Sequence, residues 1–470
     1  MTTRRIFGFV ESRTGGASVL GKALRYVFPD HWTFLFGEIA MYTFLILVAT
    51  GTYLALFFEP STAHVIYHGA YAPLRGQEMT KAYASAVNIS FEVQAGLLIR
   101  QVHHWAADVF LAAITVHLMR IFFTGAFRKP RDVNYYVGLT MLVLAVVEGY
   151  VGYSLLDDLL SGMGLAIGNA VALSVPVVGG QLGVLLWGGR FPGAPDFFSR
   201  LFFVHVFVFP ILIGSLMAVH LALIARPHHT QFRGRGRREG NVVGTPMWPA
   251  YALRSLGLFF AVAAVLFALG GLVQINPIWQ WGPYEPYLGT NGAQPDWYLG
   301  WLIGALRLMP HFDVVIGDYT LIPNPFWGGV LFPGAVFGFL YLWPTIERRF
   351  TGDRGIHNLL DRPRDNPIRT AIGAAVFTFV ATIFFAGAAD RAFVQFGVPY
   401  EDQLWGYRAA AILLPILVFF LARWICMRLR DGGAHPGRDS GARLVERPRE
   451  SSGYLVGRSE STAKGGKQNG

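Results

Sequence analysis

Cysteine is almost absent from this chain of 470 residues: Cys426 stands alone. One thiol makes no internal disulfide, no Cys-x-x-Cys-His attachment and no cysteine-ligated iron–sulfur cluster. Any such centre must come from another polypeptide, and Cys426 itself reads as a packed or lipid-facing thiol. Charge is scarce as well. Asp, Glu, Lys and Arg make up 14% of the residues against 53% apolar types, where a soluble domain carries roughly a quarter charged. That excludes a soluble globular protein and points to an all-α, polytopic membrane bundle. Residues 1–30 are polar and basic without an apolar run, so no cleavable signal peptide is expected. The formal charge of +10 would suit a nucleic-acid partner, yet the basic residues lie in loops beside apolar segments. Membrane orientation accounts for them, and no nucleic-acid role is expected.

Eight apolar segments are long enough to span a bilayer: residues 33–58, 94–123, 134–156, 200–225, 250–274, 326–345, 368–388 and 406–428. The loops alternate in charge. Basic residues cluster before the first segment (Arg4, Arg5, Arg13, Lys22, Arg25), between the second and third (Arg128, Lys129, Arg131), between the fourth and fifth (Arg226, Arg233, Arg235, Arg237, Arg238) and between the sixth and seventh (Arg348, Arg349, Arg354, Arg362, Arg364). The intervening loops carry far fewer. The positive-inside rule then places both termini in the cytoplasm. The expected organisation is a cytoplasmic N-terminal segment at 1–32, a four-helix domain at 33–228, a second four-helix domain at 229–430 and a disordered tail at 431–470. Two loops on the outer side are long, 158–199 and 275–325, and the second holds Trp279, Trp281, Trp297, Tyr298 and Trp301.

Four histidines lie inside these segments. His103 and His117 are 14 residues apart in the second, and His205 and His220 are 15 apart in the fourth. At about 1.5 Å per residue each gap is roughly 21–22 Å, most of the hydrocarbon thickness, and each pair falls near one helix face. Intramembrane histidines are costly unless liganded, paired or facing a cavity. Two facing pairs stacked across a membrane suit haem iron. The same vertical spacing recurs in glycine: Gly37 and Gly51 in the first segment, Gly138 and Gly152 in the third. Glycine lets a flat macrocycle approach a helix backbone closely. His103 and its neighbour His104 are both compatible with the spacing. Arg100 and Arg120 lie three residues beyond the two histidine positions and suit the propionates of two haems.

The run Leu98-Ile99-Arg100-Gln101-Val102-His103-His104-Trp105 through His117-Leu118-Met119-Arg120 resembles the second helix of cytochrome b from quinol:cytochrome c oxidoreductases. The resemblance continues through Val48-Ala49-Thr50-Gly51 and Gly149-Tyr150-Val151-Gly152-Tyr153-Ser154-Leu155. It ends at Pro295-Asp296-Trp297-Tyr298, where the family carries Pro-Glu-Trp-Tyr, and covers about residues 30–345. It implies eight helices around two haem b groups. In the family the ligand follows the arginine by three, which selects His103. His103 and His205 would then hold an outer, low-potential haem, and His117 and His220 an inner, high-potential one. Leu35 stands where the photosynthetic relatives have a haem-tethering cysteine, so no third haem is expected. The aspartate in Pro-Asp-Trp-Tyr and the Leu155-Leu156-Asp157-Asp158 variant are similar to the actinobacterial branch. That branch implies menaquinol as substrate, a Rieske iron–sulfur subunit, a diheme c-type cytochrome, a dimer of complexes, association with a terminal cytochrome c oxidase and the bacterial plasma membrane.

Quinol oxidation needs a base beside the quinol hydroxyl in a pocket that restricts water. Asp296, flanked by Trp297 and Tyr298, is the expected base, although aspartate at that point would also cap a short helix. Tyr153 and Tyr298 are expected to line the pocket. His228, His229 and Arg254 are candidates for the inner quinone site. Two other readings, a di-haem membrane anchor of a dehydrogenase and a transporter with a histidine proton relay, do not supply both the Pro-Asp-Trp-Tyr run and the glycine spacing.

Overall fold

A computed structural model describes residues 12–13, 16–288, 294–309 and 311–431; the tail expected at 431–470 lies, apart from Asp431, outside them. The principal helices are α1 (Trp32–Ala55), α2 (Gly96–Thr124), α3 (Asp132–Ser154), α4 (Leu159–Leu173), α5 (Phe197–Ala225), α6 (Met247–Leu272), α7 (Trp297–Leu308), α8 (Trp327–Thr351), α9 (Pro367–Ala386) and α10 (Tyr400–Asp431). Among the described residues, eight of these (all but α4 and α7) are long and apolar enough to cross a membrane. They match the eight expected segments. Two ends differ. α8 continues past residue 345 to Thr351, through Pro344, and stops at Gly352, whose φ of +69° is the left-handed C-cap that glycine adopts without strain. α10 starts at Tyr400, where Glu401 and Asp402 complement the positive end of the helix dipole.

With no hydrophobic driving force between helices in lipid, close packing has to hold the bundle. Small residues provide it. A Cβ at Gly270 on α6 would sit 2.6 Å from the Val102 side chain on α2, and one at Gly304 on α7 would sit 1.8 Å from the carbonyl oxygen of Ile383 on α9. The central core gathers Phe110 and Leu111 of α2, Leu139 and Tyr153 of α3, Tyr298 of α7 and Trp343 of α8. Cys426 is buried. The outward faces of α6 and α10 remain apolar and exposed (Phe260, Val265, Ile412, Leu417), as lipid contact requires.

Polar clamps close both ends. At the His103 end, α2 holds the loop after α6: Ile275 N donates to Gln101 Oε1 at 2.8 Å, Arg100 Nη1 to the Asn276 carbonyl at 3.1 Å, and Trp105 Nε1 to the Val273 carbonyl at 2.9 Å. The Leu-Asp-Asp variant is structural there. Asp157 accepts from the Thr80 hydroxyl at 2.7 Å, and Asp158 caps α4 through Leu160 N at 3.1 Å. Burial pushes these two carboxyls up, to about 7 and about 6. At the opposite end short strand pairs knit the loops, Val27–Phe28 against Thr245–Pro246 and Gln231–Phe232 parallel to Leu359–Leu360.

One buried ion cluster also sits at that end. Arg369, 2% exposed, donates from Nε to Glu347 Oε2 at 2.9 Å and from Nη1 to Asp361 Oδ2 at 2.9 Å; Arg128 Nη2 lies 3.0 Å from the same Asp361 oxygen. The cluster ties the α2–α3 loop to α8 and α9. Removing one member of a buried pair leaves an uncompensated charge. Arg369→Met should therefore destabilise the purified protein by about 3–5 kcal/mol, read as a lowered thermal unfolding midpoint; an unchanged midpoint would mean the cluster is solvated.

Candidate functional site

α2 and α5 carry the four intramembrane histidines, and they face each other in the expected pairs. The ring centres of His103 and His205 are 6.3 Å apart with planes at 83°, and those of His117 and His220 are 6.5 Å apart at 72°. Each ring is backed by one glycine of a neighbouring helix. A Cβ at Gly51 would lie 3.0 Å from His103 Cε1, at Gly37 3.2 Å from His117 Cε1, at Gly152 2.4 Å from His205 Cε1 and at Gly138 3.4 Å from His220 Cε1. The four glycines thus admit the imidazoles themselves: α1 backs the two rings of α2, and α3 backs the two rings of α5.

The unequal histidine gaps are reconciled by local backbone. His205 lies in a π-turn, Val204–Val208, where Phe209 N bonds to the Val204 carbonyl. A π-turn holds one more residue than an α-turn. It takes up the fifteenth residue of the α5 gap and keeps His205 and His220 on one face, in step with the 14-residue gap of α2.

These residues fit haem. Two metal–imidazole bonds of about 2 Å, plus about 1 Å from each nitrogen to its ring centre, give a centre separation of about 6 Å. Buried donors are left over where propionates would need them. Arg100 keeps Nη2 without a partner although Nε donates to Ser90 and Nη1 to Asn276. Arg120 keeps both Nε and Nη2 without a partner and lies over the Phe34 ring at 4.2 Å. Buried guanidinium groups with free N–H donors are rare unless an anion completes them. The distal ring nitrogens differ: His103 Nδ1 pairs with the Thr50 hydroxyl at 2.9 Å, the Asn134 backbone stands by His220, and among the described residues His117 Nδ1 has no partner.

At the outer pair a cavity of about 230 Å³ extends from His103, His205, Gly51 and Gly152 to Tyr153, Asp296 and Tyr298. Asp296 stands at the N-cap position of α7 but its side chain caps nothing. Instead Oδ1 lies 2.7 Å from His104 Nε2, and Oδ2 accepts from the Tyr298 hydroxyl at 2.9 Å. Burial opposes ionisation of this carboxyl, but the charge of His104, its hydrogen bond and that of Tyr298 together outweigh burial and hold it below the ordinary value. Asp108 completes the group: one ligand-type atom from each of His104, Asp108 and Asp296 lies within 4.8 Å of the others.

The inner candidates are only partly assembled. Tyr26 Oη is 3.0 Å from His229 Nδ1, and burial with the charges of Arg120 and Arg131 pushes His229 down to about 4. Arg254 is exposed and turned to Asp30 at 3.4 Å. A half-buried carboxylate on this side is Glu38, which accepts from Tyr251 at 2.5 Å and Ser255 at 2.6 Å. Sequence reasoning overlooked Glu38, Asp108 and Glu148, and weighed His104 only as a rival ligand. Carboxylates inside apolar segments were the available signal, as was the i, i+4 spacing of His104 and Asp108 on one helix face.

Residues 108–283 match the family described as cytochrome b(N-terminal)/b6/petB. The chain is 48% identical over 423 residues to the cytochrome bc1 complex cytochrome b subunit of Mycobacterium bovis, covering 90% of this chain and 76% of that one. It is 46% identical to the same-named subunit of Corynebacterium diphtheriae (90% and 77% covered) and 44% identical to that of Streptomyces coelicolor (93% and 80%). A solved structure titled hyperthermophilic respiratory Complex III has the same fold, with a TM-score of 0.64 at 19% identity over 89% of this chain and 99% of that one.

The glycine contacts predict graded substitution. Gly152→Ala, with its Cβ 2.4 Å from His205, should cost about 1–3 kcal/mol through overpacking. Gly138→Ala, at 3.4 Å, should be neutral or gain up to about 1 kcal/mol of helix propensity. Thermal unfolding of the two variants in one detergent checks the order.

Proposed function

The chain belongs to the cytochrome b subunits of cytochrome bc1 complexes, and from that premise we propose that it is their di-haem, menaquinol-oxidising subunit with its outer proton chemistry at Asp296. As a catalytic subunit of quinol:cytochrome c reductase it is an integral membrane protein that carries haem b and works with Rieske and c-type cytochrome subunits. The observation that carries the finer reading is the pair of ring separations, 6.3 and 6.5 Å, each ring backed by a glycine.

In this reading His103 and His205 hold an outer haem, and His117 and His220 hold an inner one. Arg100 and Arg120 would offer their free N–H donors to the propionates. Gly37, Gly51, Gly138 and Gly152 keep the helices close enough for the rings to be held. Bound there, haem supplies reversible one-electron chemistry. The Thr50 hydroxyl fixes the orientation of the His103 ring, as outer partners of ligating histidines do. Residues 33–228 form the haem-carrying domain, and residues 229–430 bring Asp296 to it.

Asp296 accepts the proton of the quinol hydroxyl. His104 steadies Oδ1 and Tyr298 Oδ2, so the carboxylate meets substrate already ionised and oriented. Tyr153, Tyr298 and the apolar walls of the cavity restrict water around it. At the other end Glu38 and the Tyr26–His229 pair are the groups placed to serve quinone reduction, and Arg254 is set aside from that role. The basic loops orient both termini toward the cytoplasm of a bacterial cell. A diheme c-type cytochrome, a dimer of complexes and a terminal oxidase are the partners this branch of the family implies.

A reduced-minus-oxidised spectrum tests the core of this reading: the wild type should show two b-type components, and His117→Ala should lose one. A variant that kept both would sink the ligand assignment. Asp296→Asn should slow quinol oxidation by about 10²–10⁴-fold with haem content unchanged. His104→Ala leaves burial to dominate the Asp296 carboxyl and raises it, so the acid limb of turnover should move to higher pH; an unmoved limb would detach His104 from Asp296.

A further inference from the structure

We infer that Glu148 is a positioning residue that makes the outer histidine pair electronically unlike the inner one: its carboxylate faces Nδ1 of His205 and favours the oxidised state of the haem iron held there. The inference rests on the reading of His205 as a haem ligand. Glu148 Oε1 lies 2.8 Å from His205 Nδ1, with the two side chains only 16% and 20% exposed. The contact is short but does not meet hydrogen-bond geometry at His205 Nδ1, so it acts as a close charge. The second oxygen, Oε2, is buried without a partner. Glu148 lies one turn before Gly152, the glycine that backs the His205 ring, so one face of α3 presents both to His205.

Nearly everything else about the two pairs is matched. The ring separations differ by 0.2 Å, from 6.3 to 6.5 Å. Each ring has its glycine, and an arginine stands three residues from each α2 histidine. The distal nitrogens are not matched. His103 Nδ1 meets a neutral hydroxyl, His220 is backed by the Asn134 backbone, and among the described residues His117 Nδ1 has no partner. Among the described residues His205 is the one member of the four with a carboxylate at Nδ1. The 14-residue repeat of α3, which relates Gly152 to Gly138, relates Glu148 to Asn134. The inner register position therefore carries a neutral amide where the outer one carries an acid. A carboxylate behind a ligating imidazole raises its basicity and stabilises the more positive metal state, and a low-dielectric surrounding strengthens the effect. The outer site is thereby harder to reduce than the inner, which favours electron movement away from the Asp296 end.

Redox titration of the purified complex decides this. In Glu148→Gln the outer b-type component should become at least tenfold easier to reduce, a rise of about 59 mV for one electron. The inner component and the haem content should stay at wild-type values, and Glu148→Asp should stay nearer the wild-type potential. Full haem content with an unmoved outer component, or an equal shift in both, would overturn the proposal. Wild-type protein with fewer than two b haems would instead fail the underlying ligand reading. If Glu148→Gln does not assemble, the redox-induced infrared difference spectrum of the wild type with carbon-13-labelled glutamate takes its place. A labelled carboxylate band that follows the outer component is expected, and no such band overturns the proposal.

Discussion

Polar groups inside a hydrocarbon layer have to be satisfied from within the protein, and the arrangement of this bundle follows from that demand. Four imidazoles and two guanidinium groups sit on two apolar helices long enough to span a membrane. The protein meets the demand incompletely. The histidine rings face each other across a gap too wide for a hydrogen bond, and the arginines retain buried N–H donors without acceptors. Such a pattern is a binding site for something flat, metal-bearing and doubly anionic. The glycines of α1 and α3 are the counterpart of the same demand, most tightly at Gly152, where a Cβ would lie 2.4 Å from the His205 ring.

At one end, the His103–His205 pair and Asp296 share one cavity. His103 belongs to the histidine pair, and its neighbour His104 turns to Asp296. Successive helical residues point about 100° apart, so α2 presents one side chain to the histidine pair and the next to Asp296. The loop that delivers Asp296 is pinned to α2 through Arg100, Gln101 and Trp105. Asp296 is itself held to α2 by His104, so its distance from the histidine pair follows that helix.

Much of this was legible beforehand. Eight spans follow from apolar runs, and the histidine and glycine spacings follow from helix geometry; both are local properties that survive without tertiary contacts. Asp296 shows where such reasoning stops. Its position is that of a helix cap and its side chain is not, because His104 and Tyr298 compete for the carboxylate more strongly than the backbone does. Arg254 shows the opposite failure: it lies near the inner end in sequence order, yet Asp30 draws it to the surface.

The sequence by itself determined the class of the protein, the number of its spans and the face on which each histidine lies, because composition and helical period are written residue by residue. Tertiary structure alone decided which glycine backs which ring, that a π-turn absorbs the unequal histidine gap, that His104 meets Asp296 across 192 positions, and that among the described residues Glu148 stands behind His205 and no acid behind the other three rings. Apart from the π-turn, these are contacts between distant segments. No local preference encodes them, and they exist only once the helices have packed.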